Sequence, residues 1–331
     1  MYIVSVDSGK ASTKWATLNQ KSGEVIKGLF PPVAKPIFGE QFGAIKTLVV
    51  YNAQQYSVGD PKDIRQVPRE TSKLKTEHEV SIYTAIAKAL KAQGANLNQT
   101  QSVHLVLNVP LRDYKSKEER QKYQDRYFQE ENQQTVSITV DGQLINFIVS
   151  KLTLCYEGQG SLVQATIQHE EMKLEEGFVL LTDIGGCNDS ALLFEDWSPV
   201  PGQNDALLNG MLQVFHEVAK TLTQRYDSKI TIHDVELLSK GIHPHQAKLP
   251  DFDSVYKEQA EKITTDIAQN SIGNALNPTF TKFIFAGGGA QALKPFIQAA
   301  FSGLDYVILE DSQYANVLGM LETALLENEG N

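Results

Sequence analysis

The chain has 331 residues, 41% of them hydrophobic and 21% charged, which at roughly 100–200 residues per domain suggests about two domains and excludes chain-wide disorder. A formal net charge of −10 argues against a protein whose main job is gripping nucleic acid through its phosphates. Two cysteines, Cys155 and Cys187, make no disulfide framework and fit a reducing cytosol, and neither a signal peptide nor a run of 18 apolar residues is expected.

In chain order, the pattern predicts strands over 2–6, 12–19 and 24–29, a meander with tight turns at Asp7-Ser8-Gly9 and Lys21-Ser22-Gly23. Residues 31–36 read as a Pro-rich loop, and 46–51 and 56–58 as short strands flanking Asn52-Ala53. Apolar residues at helical spacing predict a helix over 81–92. A strand over 103–109 ends at Pro110, and 116–128 is a charged helix expected on the surface. Residues 135–140 and 143–150 form a hairpin around Asp141-Gly142. A second cycle follows: helix 161–169, strand 178–182, a turn over 183–188, strand 189–194, and long helices over 206–226 and 254–272. Strand 282–286, a tight Gly287-Gly288-Gly289 turn, helix 290–301, strand 306–309 and helix 314–327 close the chain.

Asp-x-Gly follows an apolar strand twice, at Asp7-Ser8-Gly9 and at Asp183-Ile184-Gly185, and another strand comes after it each time. That duplication of a large unit predicts two similar α/β domains facing one cleft. Glycine in such turns lets backbone N–H groups approach a phosphate. Asp7 and Asp183, each ending a strand, are candidates for holding Mg²⁺ through its waters, since Mg²⁺ prefers one or two carboxylates plus water and phosphate. Ser8, Gly9, Lys10, Ser12 and Lys14 on the first hairpin, and Gly185, Gly186, Cys187 and Asn188 on the second, are candidate phosphate contacts. Gly287, Gly288 and Gly289, between a strand and a helix, allow a flat group to lie on the backbone, as in other α/β ligand crevices. Neither G-x-G-x-x-G opening a helix nor a P-loop occurs, so the expected phosphate grip is two β-hairpins. Glu217 and Lys220 on the 206–226 helix read mainly as a solvated charged face. His243 and His245 read as loop residues, and no structural zinc is expected.

In type and order these elements resemble the actin, Hsp70 and sugar-kinase superfamily, over residues 1 to about 320. Within it, Asn108-Val109-Pro110-Leu111, Ser312-Gln313-Tyr314 and Val317-x-Gly319-Met320 make the chain most similar to the ParM and StbA plasmid-segregation actins. One departure is Cys187-Asn188-Asp189-Ser190, where that family has Thr-Thr before its aspartate; period-2 alternation would turn Asp189 to the other face.

The resemblance implies an actin-like ATPase fold, two RNase H-like α/β domains around a nucleotide cleft. The first would hold 1–155 plus about 306–331, and the second 156–305. It implies ATP, or GTP in its place, with Mg²⁺; Glu157 as the residue orienting the attacking water, with Gln159 as fallback; and filaments of the chain itself. The partner it implies is a DNA-binding centromere adaptor in the cytoplasm, with no direct nucleic-acid or membrane contact. A kinase of the same superfamily using Asp189 as base, and a nucleotide-binding adaptor without turnover, are the alternatives.

Overall fold

The computed structural model describes residues 1–9, 12–31, 34–37, 47–59, 73–128, 134–207, 210–242 and 249–329; Lys10, His243 and His245 lie outside them. The chain divides into two compact units, Met1–Gln164 with Asn316–Asn331, and Ala165–Ala315.

The first unit is built on one mixed sheet. Its strands are β1 (Tyr2–Ser8), β2 (Thr13–Leu18), β3 (Val25–Phe30), β4 (Ala34–Pro36), β5 (Thr47–Tyr51), β6 (Gln54–Val58), β7 (Gln101–Val109), β8 (Val136–Val140) and β9 (Gln143–Tyr156). They lie in the order β3-β2-β1-β7-β9-β8-β5-β6-β4. β1 is antiparallel to β2 and parallel to β7, and β7 is parallel to β9. The helices are α1 (Thr76–Ala92), α2 (Leu111–Lys115), α3 (Lys117–Tyr127) and α4 (Gln159–Gln168), which runs across the boundary of the unit.

α1 packs on β1 and β2 and buries Val80, Ile82, Tyr83, Ala85, Ile86, Ala89 and Leu90. It starts at Thr76, five residues before the apolar spacing begins. Its first turn is polar, and Glu77 and Glu79 there are favoured by the helix dipole rather than by a core. β9 runs six residues past the predicted end at 150. A bulge between Val103 and His104 of β7 skips Ser150, so the alternation of inward and outward side chains changes phase there. The surface helix expected over 116–128 is α3, with two additions. Pro110 opens a separate turn, α2, and α3 buries Tyr123 and Tyr127 on its inner face. The 31–36 loop contains the short strand β4, which pairs with β6 at the sheet edge, a place that tolerates Pro36.

The second unit holds β10 (Phe178–Ile184), β11 (Asp189–Glu195), β12 (Ser198–Leu207), β13 (Thr281–Ala286) and β14 (Tyr306–Ile308), in the order β12-β11-β10-β13-β14. Its helices are α5 (Met211–Tyr226), α6 (Ile232–Ser239), α7 (Phe252–Asn274), α8 (Gly288–Ala292) and α9 (Lys294–Ala300). Val214, Val218 and Leu222 of α5 and Ile263 and Ile267 of α7 share a core with Leu180, Phe283 and Phe285. The chain then returns to the first unit through α10 (Ala315–Glu329), whose Met320 and Ala324 pack on Val106 and Cys155.

Three expectations for this unit are corrected. The 206–226 helix begins at Met211: Ala206 and Leu207 pair with Ser190 and Asp189 as the end of β12, so sheet pairing overrides their helix propensity. Of the three glycines, only Gly287 is a turn residue, at φ 86°, whereas Gly288 and Gly289 already belong to α8. The 290–301 helix is broken at Leu293, because Pro295 has no N–H to continue the ladder and instead opens α9. α6, unread in the sequence, carries a signal that was available: Thr231 and Asp234 form a capping box.

Candidate functional site

The two units repeat one arrangement. In each, a central strand (β1 or β10) has an antiparallel hairpin partner on one side and a parallel strand on the other. Asp7 and Asp183 fall at the carboxyl ends of those central strands, the edge at which open α/β sheets bind ligands.

In the first unit, Asp7 is buried and sits in a cluster of donors. Asn108 Nδ2, from the adjacent end of β7, donates to Asp7 Oδ1 at 2.8 Å. Lys73 Nζ lies 3.5 Å from Oδ1 and Lys14 Nζ 3.7 Å from Oδ2. Lys73 Nζ also donates to Asn108 Oδ1. Burial pushes the Asp7 carboxyl up, but Lys73, Lys14 and hydrogen bonds from Asn108 and Asn316 more than offset it, so its pKa is lowered. Beside it, the Ser8 hydroxyl is 2.9 Å from His78 Nδ1. Gly9 N–H closes the hairpin turn on Ser12 O at 3.1 Å.

Glu157 follows β9 directly. Its backbone N–H donates to Val109 O at 2.9 Å, its side chain is exposed, and Gly158 after it has φ 87°. Gln159 Oε1 accepts from the Tyr156 N–H at 3.2 Å, so the fallback residue serves as a local cap. Asp7, Asn108 and Glu157 thus come from the ends of three neighbouring parallel strands.

In the second unit, Gly185 N–H donates to Asn188 O at 2.8 Å, and Gly185 O and Gly186 O accept from the Met211 and Leu212 N–H groups at 3.1 and 2.8 Å. The turn carbonyls therefore cap the start of α5. Gly210 makes the approach possible: a Cβ there would lie 2.5 Å from Asn188 N and 2.6 Å from Gly186 O. Gly287 lies against Asp183 and Ile184, and a Cβ on it would overlap Asp183 Oδ1. Its N–H donates to Ser312 O at 2.9 Å, and Gln313 lies over Gly288. Cys187 is a half-buried cysteine outside any disulfide. Asp189 is fully buried and pairs across the hairpin with Ile184, a core residue, so it stands on the face opposite Asp183. Glu217 and Lys220 form a pair at 3.5 Å on the outer face of α5, beside His216.

The donor set decides what Asp7 can hold as it stands. Its neighbours are two ammonium groups and two amides, which suit an anion and compete with a hydrated Mg²⁺. Among the described residues no three His, Cys, Asp or Glu side chains gather as a metal cage. Lys73, Asn108, His78 and Asn316 were missed as site residues; Asn108 lay in a stretch that carried the family resemblance. Lys73 and His78 have no local signal, because long-range folding brings them to Asp7.

Two histidines, His104 buried and His78 half-buried, set a pH dependence. Burial, and then Lys73 and Lys75, hold the His78 imidazole down at about 4, against Glu77, which raises it. Burial and Lys151 hold His104 at about 4, against Glu327. Both are neutral when folded and protonate near 6.5 when unfolded, so the stability they preserve is complete above pH 6.5 and is lost as pH falls to about 4. At about 1.4 kcal/mol per pKa unit, each contributes roughly 3 kcal/mol over that window. Denaturant midpoints between pH 7 and 4 should fall steeply, and His104→Gln should flatten the slope; an unchanged slope would refute this.

Residues 5–160 match the family described as actin like proteins N terminal domain. Residues 181–299 match archaeal actin homologue MreB-like, C-terminal. Among solved structures, the archaeal actin homologue Ta0583 in complex with ADP is 16% identical over 98% of this chain and 100% of its own, with a TM-score of 0.72. A 15-stranded ParM filament from Clostridium botulinum is 18% identical over 98% of this chain and 99% of its own, with a TM-score of 0.72. ParM from Bacillus thuringiensis with ATP is 15% identical over 99% of both chains, with a TM-score of 0.71. At these identities the likeness is one of fold. No curated protein matches the chain in sequence.

Proposed function

The chain belongs to the actin-like proteins, and on that premise we propose that it is an ATPase that assembles into dynamic filaments and segregates plasmid DNA through a DNA-bound adaptor. The observation that carries this reading is the repeated hairpin: each unit ends a central strand in Asp-x-Gly beside a parallel neighbour. Such paired hairpins suit a polyphosphate. The ADP and ATP bound by the archaeal homologue and the Bacillus ParM favour an adenine nucleotide, with GTP as the competitor to test. The ParM filament favours self-assembly. No described helix is long and apolar enough to cross a membrane.

In this reading the first hairpin, Ser8 to Lys10 with Ser12 and Lys14, and the second, Gly185 to Cys187 with Asn188, contact phosphates, while the Gly9 and Gly185 N–H groups close their turns on Ser12 O and Asn188 O. Gly287, Gly288 and Gly289 present a flat surface to the nucleoside. Asp183 would hold a hydrated Mg²⁺ through its waters; at Asp7 such an ion would compete with Lys73 and Lys14. Glu157, exposed at the end of β9, orients the attacking water. The kinase alternative is weakened, because its candidate base, Asp189, is buried beside Ile184.

The test is light scattering of the purified protein after Mg-ATP addition, with phosphate release followed in parallel. Scattering should rise and then decay as phosphate appears. Glu157→Ala should slow phosphate release by about 10²–10⁴-fold and leave long-lived polymer. Phosphate release with flat scattering across a wide concentration range would sink the filament reading. Unchanged turnover in Glu157→Ala would sink the catalytic assignment.

A further inference from the structure

Lys73 has no part in the hairpin motif, yet it is the most deeply buried charged group of the cluster, 3% exposed. Lysine is almost never buried so far without a built partner. Here the building extends to its backbone. The Lys73 N–H donates to the Tyr123 hydroxyl at 3.4 Å, and the Tyr127 hydroxyl donates to Lys73 O at 2.6 Å. Tyr123 in turn donates to Asp113 Oδ2 at 3.1 Å. Two buried tyrosines of α3 therefore fix the residue that leads into α1, and its side chain is delivered onto Asp7 and Asn108.

The charges do not balance. Asp7 supplies one negative charge, and Lys14 and Lys73 supply two positive ones within 3.7 Å of it. His78 is neutral at physiological pH. Among the described residues the cluster thus carries an excess positive charge with a nearly buried ammonium in it. That costs energy in the empty protein and is compensated when an anion arrives. Among the described residues, Asn108 and Asp7 account for two of the three N–H groups on Lys73 Nζ, and a ligand oxygen can take the third.

We propose that Lys73 is a further phosphate-binding residue of this protein, standing beside Asp7 where a divalent cation would otherwise be needed, and that Tyr123 and Tyr127 are its positioning residues. The inference rests on the nucleotide reading above and adds to it a metal-independent component of polyphosphate binding. Without Lys73, the Asp7 carboxylate would repel the phosphates and binding would depend on Mg²⁺ to neutralise them. With Lys73, part of that neutralisation comes from the chain itself.

The experiment is calorimetric titration of the full chain with adenylyl-imidodiphosphate, in excess EDTA and in excess Mg²⁺. The wild type should bind in both. Lys73→Met should lose about 10–100-fold more affinity in EDTA than in Mg²⁺, the worth of a charge-assisted hydrogen bond. Tyr127→Phe, which keeps the ring and removes the hydroxyl, should shift the same ratio in the same direction by less, and controls for gross misfolding of the lysine variant. An EDTA-to-Mg²⁺ affinity ratio equal in wild type and Lys73→Met overturns the role of Lys73. Wild type that binds only with Mg²⁺ overturns the metal-independent component. No binding in either condition overturns the nucleotide reading itself, and this inference with it.

Discussion

Gly319→Ala is expected to destabilise the first unit by roughly 3 kcal/mol, although alanine is the better helix former by about 1 kcal/mol. Gly319 lies inside α10, and a Cβ there would overlap the carbonyl of Gly160 in α4. The contact is reciprocal, since a Cβ on Gly160 would overlap the carbonyl of Asn316. Two backbones touch with no side chain between them, so one added methyl must push the helices apart. That displaces Met320 from its core and Asn316 from Asp7. The control is Gly273→Ala near the end of α7, where a Cβ would meet nothing within 4 Å; there the propensity gain stands alone. Gly319→Ala belongs in a Trp197→Phe background, where Trp15 reports denaturant unfolding of the first unit, and Gly273→Ala in a Trp15→Phe background, where Trp197 reports the second. A Gly319→Ala midpoint no lower than that of its background would show that the close approach carries no constraint.

Asp7→Ala should cost about 4 kcal/mol at neutral pH, more than the loss of its hydrogen bonds alone, because it leaves the Lys73 ammonium buried beside Lys14 without its anion. Removing both charges should be milder than removing one. The double variant Asp7→Ala, Lys73→Met is expected to recover most of the loss, with a coupling of about 2 kcal/mol in a double-mutant cycle. Additive effects would sink the claim that the two are paired. The acid limb has a definite sign. The folded pKa of Asp7 lies below its ordinary 3.8, so its contribution is complete above that value and is lost only as pH falls further. Losses between pH 6.5 and 4 therefore belong to His78 and His104.

Local chemistry explains which elements could be read in advance. The Asp141-Gly142 turn needs positive φ at both positions, and both have it, at 51° and 79°. Asn52 and Ala53 turn the same way, at 49° and 60°. The Asp-x-Gly hairpins were visible because glycine at that spacing after an apolar strand has few other uses. By contrast, β12 was not read as a strand, and its last two residues, Ala206 and Leu207, were read as the start of a helix. Its hairpin turns at Asp196 and Trp197, both at positive φ, and tryptophan gives no turn signal. The helix α3 was legible as a surface helix, but its buried tyrosines were not, because they are outnumbered by charged neighbours. What those tyrosines hold, Lys73, is 50 residues away in the chain for Tyr123 and 54 for Tyr127. No window of sequence contains both halves of that contact. The same is true of Asp7 and Asn108, 101 residues apart.

The capped turn of the second hairpin has a mechanical meaning. Because Gly185 O and Gly186 O are the acceptors for the first N–H groups of α5, the turn cannot shift without either breaking two hydrogen bonds or dragging the helix along. Gly210 removes the slack, since the backbones are already in contact. At 1.5 Å per residue the 16 residues of α5 make a rod about 24 Å long. Its far end, Tyr226, is tied through its hydroxyl to Asp251 at the start of α7. The turn is the short arm of a lever, and a displacement of a few tenths of an ångström there is delivered, undamped by any flexible joint, to the opposite end of the helix layer.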